Sequence, residues 1–143
     1  MLPPYFYRVY DETSVSQYDE GCGFSVDEGV RFDPDQHWAK YVVQRHINWK
    51  NRRRTPFISV TASLEQACEY YRQRESWGRD PRIAKIDVRK LQRMGVRFWR
   101  MQTLARRVGA VIPRVAWNED EWLCLHEIPE WAIVDPEIDP EEY

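Results

Sequence analysis

The chain has 143 residues, which suits one domain built around one hydrophobic core. A net charge of −2 gives no overall attraction to nucleic acid, and no apolar run approaches the roughly 20 residues that a membrane-spanning helix needs. The cysteines Cys22, Cys68 and Cys124 show no CxxC or His-spaced pattern, so neither a disulfide framework nor a metal site is predicted.

The N-terminal stretch "MLPPYFYRVYDE" has no basic region followed by a long apolar segment, so no signal peptide is visible. We therefore expect a cytoplasmic protein. A secreted effector or toxin stays open as an alternative, because a signal removed before the numbering begins would leave no trace.

The first half of the chain predicts two strands and two helices. "YFYRVY" (5–10) alternates as a strand with Arg8 in its middle, and a polar, Gly-rich loop follows to about residue 33. Helical spacing of apolar residues predicts a helix over 34–48, and "KNRRR" (50–54) is predicted to be a solvated basic turn. "FISVT" then predicts a strand that leads directly into a helix over 62–75.

The second half is dominated by short strands. "RIAKIDV" and "EWLCLHEI" alternate as strands, "RKLQRMG" predicts a short helical turn, and "PEWAIV" leads into a last strand. No assignment follows for "FWRMQTLARRVGAVI". The acidic residues 136–143 are expected to form a fraying tail behind a domain at 1–135. These elements predict an α+β domain with about five to seven strands, two or three helices and no Gly-rich nucleotide loop.

Polar side chains stand at unusual positions on three predicted strands. Arg8 lies among aromatic residues, Ser59 and Thr61 end the strand "FISVT", and Glu119 and Glu121 open the strand "EWLCLHEI". Taken singly, each is explained by a side chain that lies in solvent on the protein surface. Their order and spacing together form a pattern.

This pattern resembles the ADP-ribosyltransferase superfamily, in the Arg-Ser-Glu branch that includes the cholera and heat-labile enterotoxin A chains. The segments that carry the resemblance are "YFYRVYD", "FISVTASLEQA" and "EDEWLCLHEIP", the last being followed by "EWAIV". The chain is also similar, over nearly its whole length, to a group of fungal domains of this type that share "RVYD", "PFISVT.SLE.A" and "EIP..AIV". The resemblance implies two small, mostly antiparallel sheets around a NAD cleft.

The resemblance also implies residue roles. Arg8 would bond the NAD phosphate or ribose, and Thr61 stands where the motif has its last serine. Ser59 would orient the catalytic carboxylate of Glu121, which would hold the ribose 2′-hydroxyl, and Glu119 would be the general base for the incoming nucleophile. Val60 departs from the motif's usual threonine.

His46 is a further candidate NAD contact, because it precedes the hydroxyl-bearing strand; the alternative is a structural histidine. The implied activity is cleavage of NAD at the nicotinamide–ribose bond, with transfer of ADP-ribose to a protein acceptor such as an arginine, or to water. Two alternatives stay open: an inactive relative that uses the fold as a binding module, and transfer to nucleic acid, which the net charge does not favour.

Overall fold

The structure is a computed structural model that describes residues 1–26, 31–49 and 55–142. The basic run 50–54, for which a solvated turn was predicted, lies outside the described residues. Within them, no helix is long and apolar enough to cross a membrane.

The fold is α+β, as predicted, with more elements than the sequence pattern suggested. The described part contains the strands β1 (Tyr5–Tyr10), β2 (Tyr18–Asp19), β3 (Gly23–Ser25), β4 (Phe57–Thr61), β5 (Arg82–Asp87), β6 (Phe98–Arg100), β7 (Glu121–Leu125), β8 (Glu127–Pro129) and β9 (Ile133–Asp135). Its α-helices are α1 (Ala39–Trp49), α2 (Leu64–Ser76), α3 (Val88–Arg93) and α4 (Met101–Val108).

The strands form two antiparallel sheets. The larger has the order β6-β7-β4-β1-β5-β9 and the smaller has the order β2-β3-β8. One core lies between the sheets and contains Phe6, Phe24 and Ile128, each fully buried. On the other face of the larger sheet, α1 and α4 pack over β4 and β7, and α2 packs over β1 and β5.

The larger sheet opens in its middle, between β1 and β4. These strands pair at a single position, Tyr7 opposite Thr61, whereas β1 pairs with β5 over six positions and β4 with β7 over five. Beyond that position, the Arg8 side chain donates from Nη1 to the carbonyl of Ser59 at 3.0 Å, in place of a backbone bond. The opening is the place where a cleft forms.

The stretch predicted as a loop to about residue 33 contains β2 and β3. The first helix and the strand predicted over 121–128 also differ from the structure. The first helix begins at Ala39 instead of residue 34, because the carboxylate and carbonyl of Asp33 accept the amides of Asp35 and Gln36 in a turn. The strand predicted over 121–128 is broken at His126, whose φ of 69° takes the chain out of β7 and into β8. The alternating pattern continues across this break, although the two strands belong to different sheets.

The acidic C-terminal segment is anchored instead of fraying. The Ile138 side chain is buried in a cluster with Val9 and Ile83, and its amide donates to the Ile83 carbonyl at 2.9 Å. The Tyr10 hydroxyl donates to the Pro136 carbonyl at 2.7 Å. Burial of one isoleucine and two hydrogen bonds therefore hold residues 136–138 against the edge of the sheet.

Candidate functional site

A cleft of about 310 Å³ lies at the opening between β1 and β4. Its floor is formed by residues 7–9 of β1 and 57–61 of β4, and its walls come from α1, from the C-terminal half of α2 and from residues 115–118. This volume is at the lower end of the range of small-molecule and cofactor sites. Of the six predicted site residues, the described lining includes Arg8, His46, Ser59, Thr61 and Glu121.

Arg8 is a buried arginine that ties three segments together. Its Nη1 donates to the Ser59 carbonyl at 3.0 Å and its Nη2 to the Ser16 carbonyl at 2.9 Å, while the guanidinium lies 5.1 Å from the centre of the Phe24 ring. Burial, together with the nearby positive charge of Arg74, lowers the pKa of Arg8 to about 10. Arg8 therefore braces the cleft floor and also keeps a positive charge there at neutral pH.

A chain of hydrogen bonds runs from Glu121 through Ser59 to α1. The Ser59 hydroxyl donates to Glu121 Oε2 at 3.1 Å. The hydroxyl oxygen of Ser59 also lies 2.7 Å from His46 Nε2. His46 Nδ1 contacts the hydroxyl of Thr55. Because the single hydroxyl proton of Ser59 goes to the carboxylate, the Ser59 oxygen accepts from His46, and Nε2 is then the protonated ring nitrogen.

Strand register explains why this chain of contacts forms. Thr61 pairs with Glu121 and Ser59 with Leu123 across β4 and β7, so Ser59 and Glu121 are diagonal neighbours on one face. Both Glu121 and His46 are buried, at 5% and 3% exposure. The carboxylate is thus held by Ser59 at a buried position of the cleft floor.

Thr61 and Ser63 form the entry to α2. The Thr61 hydroxyl oxygen accepts the Ser63 amide at 3.2 Å, and the Ser63 hydroxyl accepts the Gln66 amide at 3.1 Å as the N-cap of the helix. Part of the hydroxyl pattern at the end of β4 therefore serves to start a helix. Ser59, in contrast, faces the cleft and bonds the carboxylate.

Glu119 lies apart from the other candidates. It is exposed, its carbonyl accepts from Arg100 Nε at 3.0 Å, and it is not among the described residues that line the cleft. Its neighbours Asn118 and Glu121 do line the cleft, so Glu119 stands on the rim.

The sequence analysis missed the wall that α2 contributes. Tyr70, Gln73, Arg74 and Trp77 line the cleft, and their spacing of three and four residues is that of one helix face. Asn118 Nδ2 donates to the Tyr70 hydroxyl at 2.6 Å and ties the opposite rim to this helix. That spacing was the available signal, but apolar periodicity in the same helix pointed only to the core.

No group of three or more His, Cys, Asp or Glu side chains capable of holding a metal ion occurs in the described ranges.

The chain belongs to the family described as Domain of unknown function (DUF7587), which it matches over residues 1–141. The match spans β1 to β9 and so includes every residue of the cleft floor. No curated protein matches the chain.

Proposed function

We propose that this domain is a NAD-cleaving enzyme of the ADP-ribosyltransferase type, acting as a mono-ADP-ribosyltransferase or as a NAD glycohydrolase. The observation that carries the proposal is the meeting of Arg8, Ser59 and Glu121 at one cleft. They come from the neighbouring strands β1, β4 and β7, and Ser59 donates a hydrogen bond to Glu121. The two antiparallel sheets with a cleft at the opening of the larger one are compatible with this fold type.

The chemistry suits a dissociative glycosidic cleavage. The nicotinamide of NAD already carries a positive charge and leaves as a neutral base, so its departure needs no general acid. The bond electrons leave with nicotinamide, and the remaining ribose becomes an oxocarbenium ion. The carboxylate of Glu121, oriented by Ser59, would accept a hydrogen bond from the ribose 2′-hydroxyl and stabilise that positive charge.

The nucleophile that completes the reaction is water or an acceptor group, and it loses one proton when the new bond to the ribose forms. Glu119 stands on the rim beside Asn118, where its exposed carboxylate can take that proton from an acceptor arriving from solvent. The resemblance implies a protein arginine as the acceptor, because a glutamate at position 119, rather than a glutamine, is similar to the pattern of arginine-directed transferases. Water yields NAD hydrolysis when no acceptor is present.

His46 takes a supporting role in this proposal. Since it donates to the Ser59 oxygen, it leaves the hydroxyl proton free to point at Glu121. We expect His46→Gln, which retains a side-chain N–H donor, to keep more activity than His46→Leu. Nicotinamide release measured on both variants provides the comparison, and equal loss in both would argue against this role.

The second candidate function is an inactive relative that binds a ligand or a protein through the same cleft. The observation that favours it is that both Arg8 amino groups donate to backbone carbonyls, which gives Arg8 a structural task. Incubation of the purified protein with NAD separates the two functions. Release of nicotinamide supports the enzyme, whereas a rise in melting temperature with NAD but no release supports the binding module.

A further inference from the structure

The charges that line the cleft are predominantly positive. Among the described lining residues, Arg8 and Arg74 are cationic and Glu121 is the one carboxylate. In the described part of the chain Arg8 makes no ion pair, since its amino groups donate to the neutral carbonyls of Ser59 and Ser16. The protein as a whole has a net charge of −2, so this positive cleft is a local feature that favours an anion.

Arg74 is held in position by a buried acid. Its Nη1 lies 3.3 Å from Asp11 Oδ2 and 3.4 Å from the Ser14 hydroxyl. The same Asp11 oxygen lies 3.7 Å from Arg79 Nη1, so one carboxylate is shared by two guanidinium groups. Asp11 therefore fixes Arg74, but its single negative charge does not neutralise the two positive charges of Arg74 and Arg79. A guanidinium restrained in this way is suited to bidentate bonding of a phosphate.

Trp77 extends the same helix face. It caps α2 three residues after Arg74, lines the cleft and is 58% exposed. The Arg79 guanidinium lies 5.4 Å from the centre of the Trp77 ring, which restrains the indole. An exposed, restrained aromatic ring beside a cation is the arrangement that stacks on a nucleobase while the cation bonds its phosphates.

We propose that the α2 wall of the cleft is a nucleoside-diphosphate subsite, in which Arg74 bonds the diphosphate and Trp77 stacks on the base. This inference rests on the proposed function, because NAD is the ligand whose ADP half would occupy the wall. Its nicotinamide ribose would then extend toward Ser59 and Glu121. Asp11 acts through Arg74 as a positioning residue.

The test is calorimetric titration of pyrophosphate, ADP and adenosine into the purified chain. We expect Arg74→Gln to weaken ADP and pyrophosphate binding about tenfold or more while leaving adenosine binding within about twofold. Trp77→Ala should weaken ADP and adenosine by a similar factor and leave pyrophosphate unchanged. Arg72→Gln is the matched control, because it removes the same charge from an exposed position of α2 outside the cleft lining.

Loss of the Arg74–Asp11 contact could unfold the Gln variant, so Arg74→Lys provides a second arm. It keeps a positive charge beside Asp11, and we expect pyrophosphate affinity between those of wild type and Arg74→Gln, because the bidentate fork is lost. Circular dichroism establishes that each variant is folded before titration.

The inference is overturned if wild type binds none of the three compounds, or if Arg74→Gln and Arg72→Gln change ADP affinity equally. Its failure is separable from that of the proposed function. ADP binding with the expected pattern, but without nicotinamide release from NAD, would refute the proposed enzyme activity and support the subsite. Nicotinamide release from NAD, with unchanged ADP affinity in both Arg74 variants, would refute the subsite and support the proposed enzyme activity.

Discussion

Gly23 is the described glycine at which a side chain fits worst, and replacing it with alanine tests the packing of the two sheets. Its φ is +89°, and a Cβ built there would lie 2.1 Å from the Ile128 carbonyl oxygen and 2.8 Å from the Glu130 amide nitrogen. Both contacts are to backbone, so β3 must move away from β8. Phe24, the next residue of β3, lies beneath the Arg8 guanidinium, so the change also disturbs the cleft floor.

The expected decrease in the free energy of unfolding for Gly23→Ala is the sum of three parts. A left-handed backbone costs an alanine about 1 to 2 kcal/mol. Weakening about two hydrogen bonds between β3 and β8 costs about 1 kcal/mol each. Partial exposure of Phe24 and Ile128, both fully buried, adds about 1 kcal/mol. We therefore expect the free energy of unfolding to fall by about 4 to 5 kcal/mol.

Gly21→Ala is the matched control, because Gly21 has a φ of +88° and no atom within 4 Å of its Cβ position. The free energy of unfolding of Gly21→Ala should fall only by the cost of the left-handed backbone, about 1 to 2 kcal/mol. Urea unfolding followed by tryptophan fluorescence measures both variants. Equal losses in the two variants would refute the close approach of β3 to β8.

Two further predictions follow from buried ionisable groups. Burial of Asp11 raises the pKa of its carboxyl, but bonds from Thr13 and the two nearby arginines outweigh it, so the folded pKa lies below the ordinary 3.8. Wild type should therefore have a higher free energy of unfolding than Asp11→Asn, and this difference should be complete above pH 3.8 and disappear as the pH falls through the folded pKa. Acid unfolding curves measure the difference, and a difference that stays constant with pH would contradict the prediction. Burial raises the pKa of the Cys124 thiol to about 12 and Cys68 is also buried, so a disulfide reagent at pH 8 should modify exposed Cys22 alone quickly; fast reaction of more than one thiol would contradict the structure.

Much of the fold could be predicted because its longer elements have regular local patterns. β1, β4 and β5 are runs of five or six residues that contain the β-branched or aromatic residues typical of strands, and α2 has both an apolar stripe and a serine cap. β6 and α4 went unassigned because a strand of three residues runs directly into a helix with no capping side chain, at Arg100. The switch of sheets at His126 was missed because alternation does not report which sheet a strand joins.

The candidate site depended on information of a different kind. Local pattern indicated that Ser59 and Glu121 lie on strands, but their contact depends on the pairing of β4 with β7, between residues 62 positions apart. The resemblance to a family supplied that grouping in advance. The resemblance did not indicate a role for Arg74 or Trp77. These residues become candidates only once the structure shows that α2 forms a wall of the cleft between β1 and β4.

Nicotinamide release from NAD is the assay on which the proposed enzyme depends, measured for wild type, Glu121→Gln and Glu127→Gln. Glu121→Gln removes the buried charge with almost no change in shape, and Glu127→Gln removes the same charge from an exposed residue just beyond β7. We predict release by wild type, a loss of about 100-fold or more in Glu121→Gln, and wild-type rates in Glu127→Gln. Absence of release from the folded wild type, or equal rates in all three proteins, would contradict NAD cleavage at this cleft.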